Sequence, residues 1–530
     1  MSAKEPQAPQ ERLTTEEFIE KSGVANLLNQ LKSEITQRKG GELVVSDVLD
    51  DHGNQYVDLV QEGGGVWGIS LVGYTYVMEE MGIRFFSLAG TSAGAINAMM
   101  LAVSGNANEK KSSHLLDHLL NLELDKIVDG AGEENRKTTA FIRWVIKAII
   151  RKPYFFQSMM SLTHWLLMLF ITLTAASFIG NFLILHPFSS RLGLPPLILM
   201  IGIFGILMFL KSYLKDILSK GLGLNEGKYF HYWIKNAVQS NHIYGNPDKP
   251  RIANMETFNE HFSKPLDLTI RKSRQETAIP PQGNERMITI VTCDITSQCK
   301  IELPLMWDLY WDKIADIHPG DLVRASMSIP GFFKMFKVNI NHPQSKLDIW
   351  KQRLLWKNDI VPGEVNFVDG GAISNFPLNV FSSILNPVPR MPTFGVKLYE
   401  GEQIDDIAKA ETILQYANSL VATIRGYYDK DFLIRNPSFR HGVTYVNLTG
   451  YSSINFFMEE DEKMQLFLHG ALAAANFLKS FNWTEYKIER EKDVLKINKL
   501  ANPNNLLREE EKVEAIAQKS REVYSKLNLR

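Results

Sequence analysis

A serine set between two glycines, Gly90-Thr91-Ser92-Ala93-Gly94, is the first place where this 530-residue chain could do chemistry. The apolar run Ile83 to Ala89 precedes it and reads as a strand, and Ala95 to Leu101 follows it and reads as a helix. A serine on a tight strand-to-helix turn takes a strained backbone, and flanking residues without bulk let the turn close. The hydroxyl then stands over the end of a sheet, beside the N-terminal amides of the next helix. That is the position of a nucleophile for acyl transfer, although an ordinary glycine-rich turn has the same spelling.

Two further segments bear on the choice. Glu62-Gly63-Gly64-Gly65-Val66-Trp67-Gly68 follows the strand-like Tyr56 to Val60 and precedes a helical stretch, Ile69 to Met81. Consecutive glycines let backbone N–H groups converge on one space, which suits an oxyanion or a phosphate. The spacing Gly63-x-Gly65-x-x-Gly68 also fits a dinucleotide loop, but about 20 residues on, where that reading wants an acidic strand end, stands the serine turn. In Val365 to Leu378 a short strand delivers Asp369 to Gly370-Gly371. Asp-Gly is a common turn dipeptide, yet a carboxylate brought to Ser92 could take its proton as general base. A conventional Ser–Asp–His hydrolase would instead need a histidine after Asp369, and His441 and His469 are the candidates.

The order of these motifs, Gly-x-Gly-x-x-Gly, then Gly-x-Ser-x-Gly, then a distant Asp-Gly-Gly, resembles the patatin-like phospholipase family, in a bacterial-type form carrying an inserted hydrophobic hairpin. Ile288 to Asp294 and Val323-Arg324-Ala325-Ser326-Met327-Ser328-Ile329-Pro330-Gly331-Phe332-Phe333 are similar to the family's strand and Ala/Ser-rich helix upstream of the aspartate. The resemblance covers about residues 54–105 and 220–400. It implies a three-layer α/β/α sandwich with a mostly parallel central sheet, hydrolysis of lipid acyl esters, and neither metal nor cofactor. It makes Ser92 the nucleophile, Asp369 its base, and the loop of Gly63, Gly64, Gly65 and Gly68 the oxyanion hole. Gly90 and Gly94 frame the nucleophile turn, and Gly370 and Gly371 follow the base. The chain departs from the family at Trp67, where a basic residue is usual, and at Glu62, where an aspartate is usual. The first departure bears on how a phosphate headgroup would be held.

Composition is that of an ordinary globular protein, with 45% apolar and 22% charged residues and a net charge of −1. Nothing in that balance points to nucleic acid. Two cysteines, Cys293 and Cys299, cannot build a disulfide-stapled scaffold, and they lack the companions of a zinc site. The polar start, residues 1–12, has no apolar core and reads as disordered rather than as a signal peptide. Thr14-Thr15-Glu16-Glu17 reads as a helix start.

The remaining signal lies between the motifs. Leu162 to Leu185 and Leu192 to Leu210 are almost uninterrupted apolar runs, each close to the roughly 20 residues that span a bilayer core. Neither shows the polar face of a soluble helix. Arg143, Lys147, Arg151 and Lys152 precede the pair and Lys211, Lys215 and Lys220 follow it, while the connection holds only Arg191. Positive flanks stay cytoplasmic, so the reading is a membrane hairpin with the catalytic halves in the cytoplasm, at a bilayer that supplies the lipid substrate. The expected organisation is a polar tail and helix (1–50), the first catalytic piece (51–125), the insertion (126–220), the second catalytic piece (221–400) and a C-terminal helical region (401–530).

Overall fold

The computed structural model describes residues 13–38, 41–128, 222–240, 252–271, 285–382, 389–401 and 413–500, with single positions at 165, 168, 172, 202, 205 and 208. The chain forms two compact units. The larger takes Met1–Lys126, Lys228–Ile329 and Phe336–Arg530, and the smaller takes Ile127–Gly227 and Pro330–Met335.

The larger unit is built on a ten-stranded mixed sheet. Its main path runs Val443–Asn447, Thr393–Tyr399, Gln55–Gln61, Ile83–Thr91, Ile288–Asp294, Glu364–Asp369 and Phe336–Asn339. The first five of these are mutually parallel and the last two join antiparallel. Parallel strands are covered on both faces, so they read as continuous apolar runs rather than alternating ones. The strand Ile83–Thr91 obeys this: every residue in it is buried. Helices Gly68–Glu80 and Ala93–Val103 connect parallel neighbours, each stepping in the same direction along the sheet, so right-handed crossovers put both on one face. Val60 and Ala89 point into a cluster with Phe376, Leu378, Leu433, Phe439 and Val443, supplied by the segment after Asp369 and by the C-terminal part of the chain.

The mixed, mostly parallel sheet with its helices is the α/β arrangement expected of the sequence. Thr14 caps the first helix through a reciprocal pair with Glu17. The region after residue 401, read as helical, holds helices Ile413–Arg435, Glu460–Ser480 and Trp483–Leu500, and it also adds the sheet strand Val443–Asn447. Cys293 and Cys299 are both free thiols.

In the smaller unit Gly223–Asn225 pairs in parallel with Gly331–Phe333. The apolar runs 162–185 and 192–210 lie outside the described residues apart from six helical positions, all exposed, Trp165, Met168 and Met208 among them. Among the described residues no helix is long and apolar enough to cross a membrane.

Candidate active site

Ser92 sits where the strand Ile83–Thr91 hands over to the helix Ala93–Val103, with φ 54° and ψ −119°. A non-glycine residue held there stores strain, of order 1–3 kcal/mol, that the surroundings must impose. They do so by crowding. A Cβ on Gly90 would collide with the backbone of Gly94, and one on Gly94 would collide with the carbonyl of Gln61. Either glycine is therefore obligatory for a turn this tight. The Ser92 amide donates to Ser326 Oγ at 2.9 Å, and Ser326 Oγ donates in turn to the carbonyl of Val291 at 2.6 Å. The strained residue is thus tied to the neighbouring strand through one buried hydroxyl.

Asp369 ends the strand Glu364–Asp369, two places along the sheet from the serine strand. The register puts Asp369 opposite Thr292 and Thr91 opposite Val291, so both side chains emerge at the same level of the sheet. Ser92 Oγ donates to Asp369 Oδ2 at 2.6 Å, and the amide of Gly371 donates to Oδ1 at 2.7 Å. Met327 Sδ lies 3.4 Å from the hydroxyl. Ser92 and Asp369 are 4% and 5% exposed. Burial pushes the Asp369 carboxyl from its ordinary 3.8 up to about 6, against the opposing pull of the Ser92 hydroxyl, the Gly371 amide and the Arg425 guanidinium.

The glycine loop lies against this pair. A Cβ on Gly63 would stand 2.9 Å from Ser92 Cβ and 2.5 Å from Asn375 Oδ1. The Gly63 amide is already spent, donating to the Asn375 carbonyl at 3.1 Å, while Asn375 Nδ2 donates to the Gly63 carbonyl at 3.0 Å. Val66 N–H is likewise taken, by the Ser453 carbonyl at 2.9 Å. Among the described residues nothing accepts from the amides of Gly64 and Gly65. Within the glycine loop the donors left for an oxyanion are therefore those two, and the Gly63 amide serves to lock the loop. Gly65, at φ +56°, leaves no room for a Cβ beneath Ser453, and Gly68 packs on Ala93. The glycines thus seat the loop on the serine turn and beneath the Ser453 backbone, so they have close packing of their own to serve apart from any dinucleotide.

Two residues of the helix Ile413–Arg435 complete the surroundings, and nothing in the sequence marked them. The buried carboxylate of Asp429 accepts from Ser374 Oγ and from the amides of Asn375 and Phe376, each at 2.8 Å, and so holds the turn that follows Asp369. Arg425 approaches Gly371: a Cβ there would lie 3.1 Å from the guanidinium and 2.9 Å from Asp369 Oδ1. Glu62, in contrast, faces away from the pair and holds Lys397 Nζ at 3.0 Å and the Leu398 amide at 2.7 Å. Trp67 donates its indole N–H to the Tyr451 carbonyl.

Neither candidate histidine reaches the pair. His441 is exposed at the N-terminal end of the strand Val443–Asn447, whereas Ser92 lies beyond the C-terminal end of a strand in the same parallel set. His469 lies edge-on to Tyr451, 5.7 Å between ring centres. Among the described residues no group of three or more His, Cys, Asp or Glu side chains is placed to hold a metal. A polar cavity of about 320 Å³, lined in part by Asp50, Tyr56, His261 and Arg286, lies at the N-terminal ends of the parallel strands and holds none of the residues named for the site.

The family model described as patatin-like phospholipase matches residues 59–382, a span that contains Ser92, Asp369 and the glycine loop. Over 54 residues the chain is 52% identical to YqhO, an uncharacterized protein of Bacillus subtilis (strain 168), a match covering 10% of this chain and 19% of that relative. Comparison with the crystal structure of VipD from Legionella pneumophila covers 88% of this chain and 76% of that one, at 14% identity and a TM-score of 0.34.

Proposed function

The chain belongs to the patatin-like phospholipase family, and from that premise we propose that it is a serine acyl-ester hydrolase acting on membrane lipids through a Ser92–Asp369 dyad. The observation that carries the reading is the direct hydrogen bond, 2.6 Å, from a strained, buried serine to a buried carboxylate. In this reading Ser92 Oγ attacks the ester carbonyl carbon as Asp369 Oδ2 takes the hydroxyl proton. The carbonyl oxygen becomes an oxyanion facing the unspent amides of Gly64 and Gly65. Collapse expels the alcohol, which takes the proton from Asp369, and leaves an acyl-serine. A water that gives its proton to Asp369 then attacks the acyl carbon, and the serine leaves with that proton.

An aspartate of ordinary pKa is a weak base at neutral pH, because proton transfer to it is strongly uphill. Burial that lifts Asp369 toward 6 narrows the gap while leaving the group ionised at pH 7. No histidine among the described residues bonds to either member, which favours the dyad over a triad.

The membrane reading rests on the apolar runs and their basic flanks, with Trp165, Met168 and Met208 helical and exposed within them. In this proposal the hairpin holds a cytoplasmic catalytic unit at the bilayer that provides its substrate. The deciding experiment incubates detergent-purified protein with a lipid extract and compares wild type with Ser92→Ala by mass spectrometry. Released fatty acid that disappears in Ser92→Ala, together with loss of fluorophosphonate labelling, supports the reading. Equal release by both proteins, or a wild type that neither labels nor hydrolyses, overturns it.

A further inference from the structure

We propose that Arg425 is the substrate-recognition cation of this site, binding the phosphate of a phospholipid headgroup while Ser92 attacks the neighbouring acyl ester; the assignment of substrate rests on the acyl-hydrolase reading above. Three observations converge on it.

The first is the state of the cations around the dyad. Lys397 is paired with Glu62 at 3.0 Å and also lies over the Phe376 ring. Arg425 is exposed and makes no ion pair or hydrogen bond among the described residues. A guanidinium is a planar fork of donors suited to two phosphate oxygens at once. Left unpaired at the rim of a buried anionic site, it has its full donor capacity available.

The second is position. The guanidinium rests on the face of Gly371, the residue whose amide holds Asp369 Oδ1, at the spot a Cβ would crowd. A group bound to Arg425 therefore lies within a few ångströms of the reacting centre, the separation between a glycerophospholipid's phosphate and its acyl ester being only a few bonds. The third is support. Asp429, one helical turn further on, fastens the helix to the loop of Ser374, Asn375 and Phe376 by three hydrogen bonds, so the stem of Arg425 is fixed relative to Asp369. A solvated surface arginine has no such anchorage beneath it.

The test is a substrate ratio. A lysophosphatidylglycerol and a monoacylglycerol with the same acyl chain are assayed in the same mixed micelles at pH 8, so that any effect of Arg425 on the Asp369 carboxyl acts on both substrates and cancels in the ratio. Wild type should favour the phosphate lipid in kcat/KM. Arg425→Gln should lower that ratio by about tenfold or more, and Arg425→Lys should retain part of it, as expected for loss of a charged hydrogen bond. A ratio unchanged in Arg425→Gln overturns the proposal. Inhibition of wild type by inorganic phosphate that vanishes in Arg425→Gln would show that phosphate alone suffices; a lost ratio without such inhibition would assign the lipid headgroup. Should wild type cleave neither lipid, it is the hydrolase reading that has failed. The phosphate site is then judged by calorimetry of an uncleavable ether-linked lysophosphatidylglycerol on Ser92→Ala protein. Binding weakened at least about tenfold by adding Arg425→Gln sustains the site, and binding that is equal or absent overturns it.

Discussion

Asp369→Asn should abolish activity and, at alkaline pH, make the protein more stable. In the folded protein the Asp369 carboxyl is raised from 3.8 to about 6, chiefly by burial. The folded state therefore holds a proton over a pH range in which the unfolded chain has lost it, so stability falls as pH rises through that window. The interval is about two pH units, and at about 1.4 kcal/mol each the ionised carboxylate costs about 3 kcal/mol above pH 7 and almost nothing below pH 4. Asparagine carries no such charge. It has one oxygen for the two donors, Ser92 Oγ–H and Gly371 N–H, so against the carboxylate it forfeits about 1 kcal/mol, and against the protonated acid at low pH no more than that. The variant should thus be more stable than wild type by about 2 kcal/mol at pH 8 and less stable by about 0.5 kcal/mol or less at pH 4. Urea unfolding followed by tryptophan fluorescence, in one detergent at both pH values, measures the difference. A stability change of the same sign and size at pH 4 and pH 8 would refute the buried-carboxylate argument. The same group sets the wild-type rate profile: kcat/KM should rise with pH to a plateau with a midpoint near 6, and Asp369→Asn should lie about a thousandfold or more below it.

Two further outcomes follow from the architecture. Asp429→Asn keeps the shape of the side chain but leaves at least one buried donor of the 374–376 turn unpaired, so kcat should fall about 10- to 100-fold with little change in KM, and fluorophosphonate labelling of Ser92 should slow in parallel; normal labelling in a folded variant would reduce Asp429 to a structural clamp. Full-length protein should sediment with membranes, resist alkaline carbonate and dissolve in detergent, and a chain in which a Gly/Ser linker replaces residues 160–211 should be soluble and still cleave a small water-soluble ester. Full-length protein found in the supernatant without detergent would remove the membrane hairpin from the account.

What was legible in the sequence was local. Ser92, with its flanking glycines, is written in one strand-turn-helix of about twenty residues, and the continuous apolar run before it reports a strand buried on both faces. Asp369 was legible because a glycine pair after a short strand marks a strand end. What the sequence does not show depends on pairings across the chain. Asn375 meets Gly63 over a separation of 312 residues, and that contact turns the Gly63 amide from an oxyanion donor into a lock. Asp429 and Arg425 sit among tyrosines and isoleucines on a helix whose exposed apolar positions conceal any signal of a site. The strand Val443–Asn447 is short and lies between helices, so the helical pattern on either side hides its five residues.

Among the described residues no histidine bonds to Ser92 or Asp369, and that has a physical consequence for how the proposed base must be built. Histidine is a competent base near neutrality because its ordinary pKa already lies there. An aspartate has to be moved into that range, and burial is the means; but burial carried too far leaves the carboxyl protonated and useless as a base. Around Asp369 the opposing contributions come from three directions: the Ser92 hydroxyl on one oxygen, the Gly371 amide on the other, and the Arg425 guanidinium beyond them. Two of the three meet at Gly371, whose amide holds one carboxylate oxygen and whose Cβ would stand 2.9 Å from that oxygen and 3.1 Å from the guanidinium. Gly371 therefore has a role that neither turn geometry nor nucleophile placement would assign to it. A Cβ there would stand 2.5 Å from Asn375 Oδ1 and 2.9 Å from Asp369 Oδ1, so a side chain would push at once on the carboxylate and on the asparagine that holds the glycine loop, whereas Gly370 is required by a different crowding, against the Val291 carbonyl.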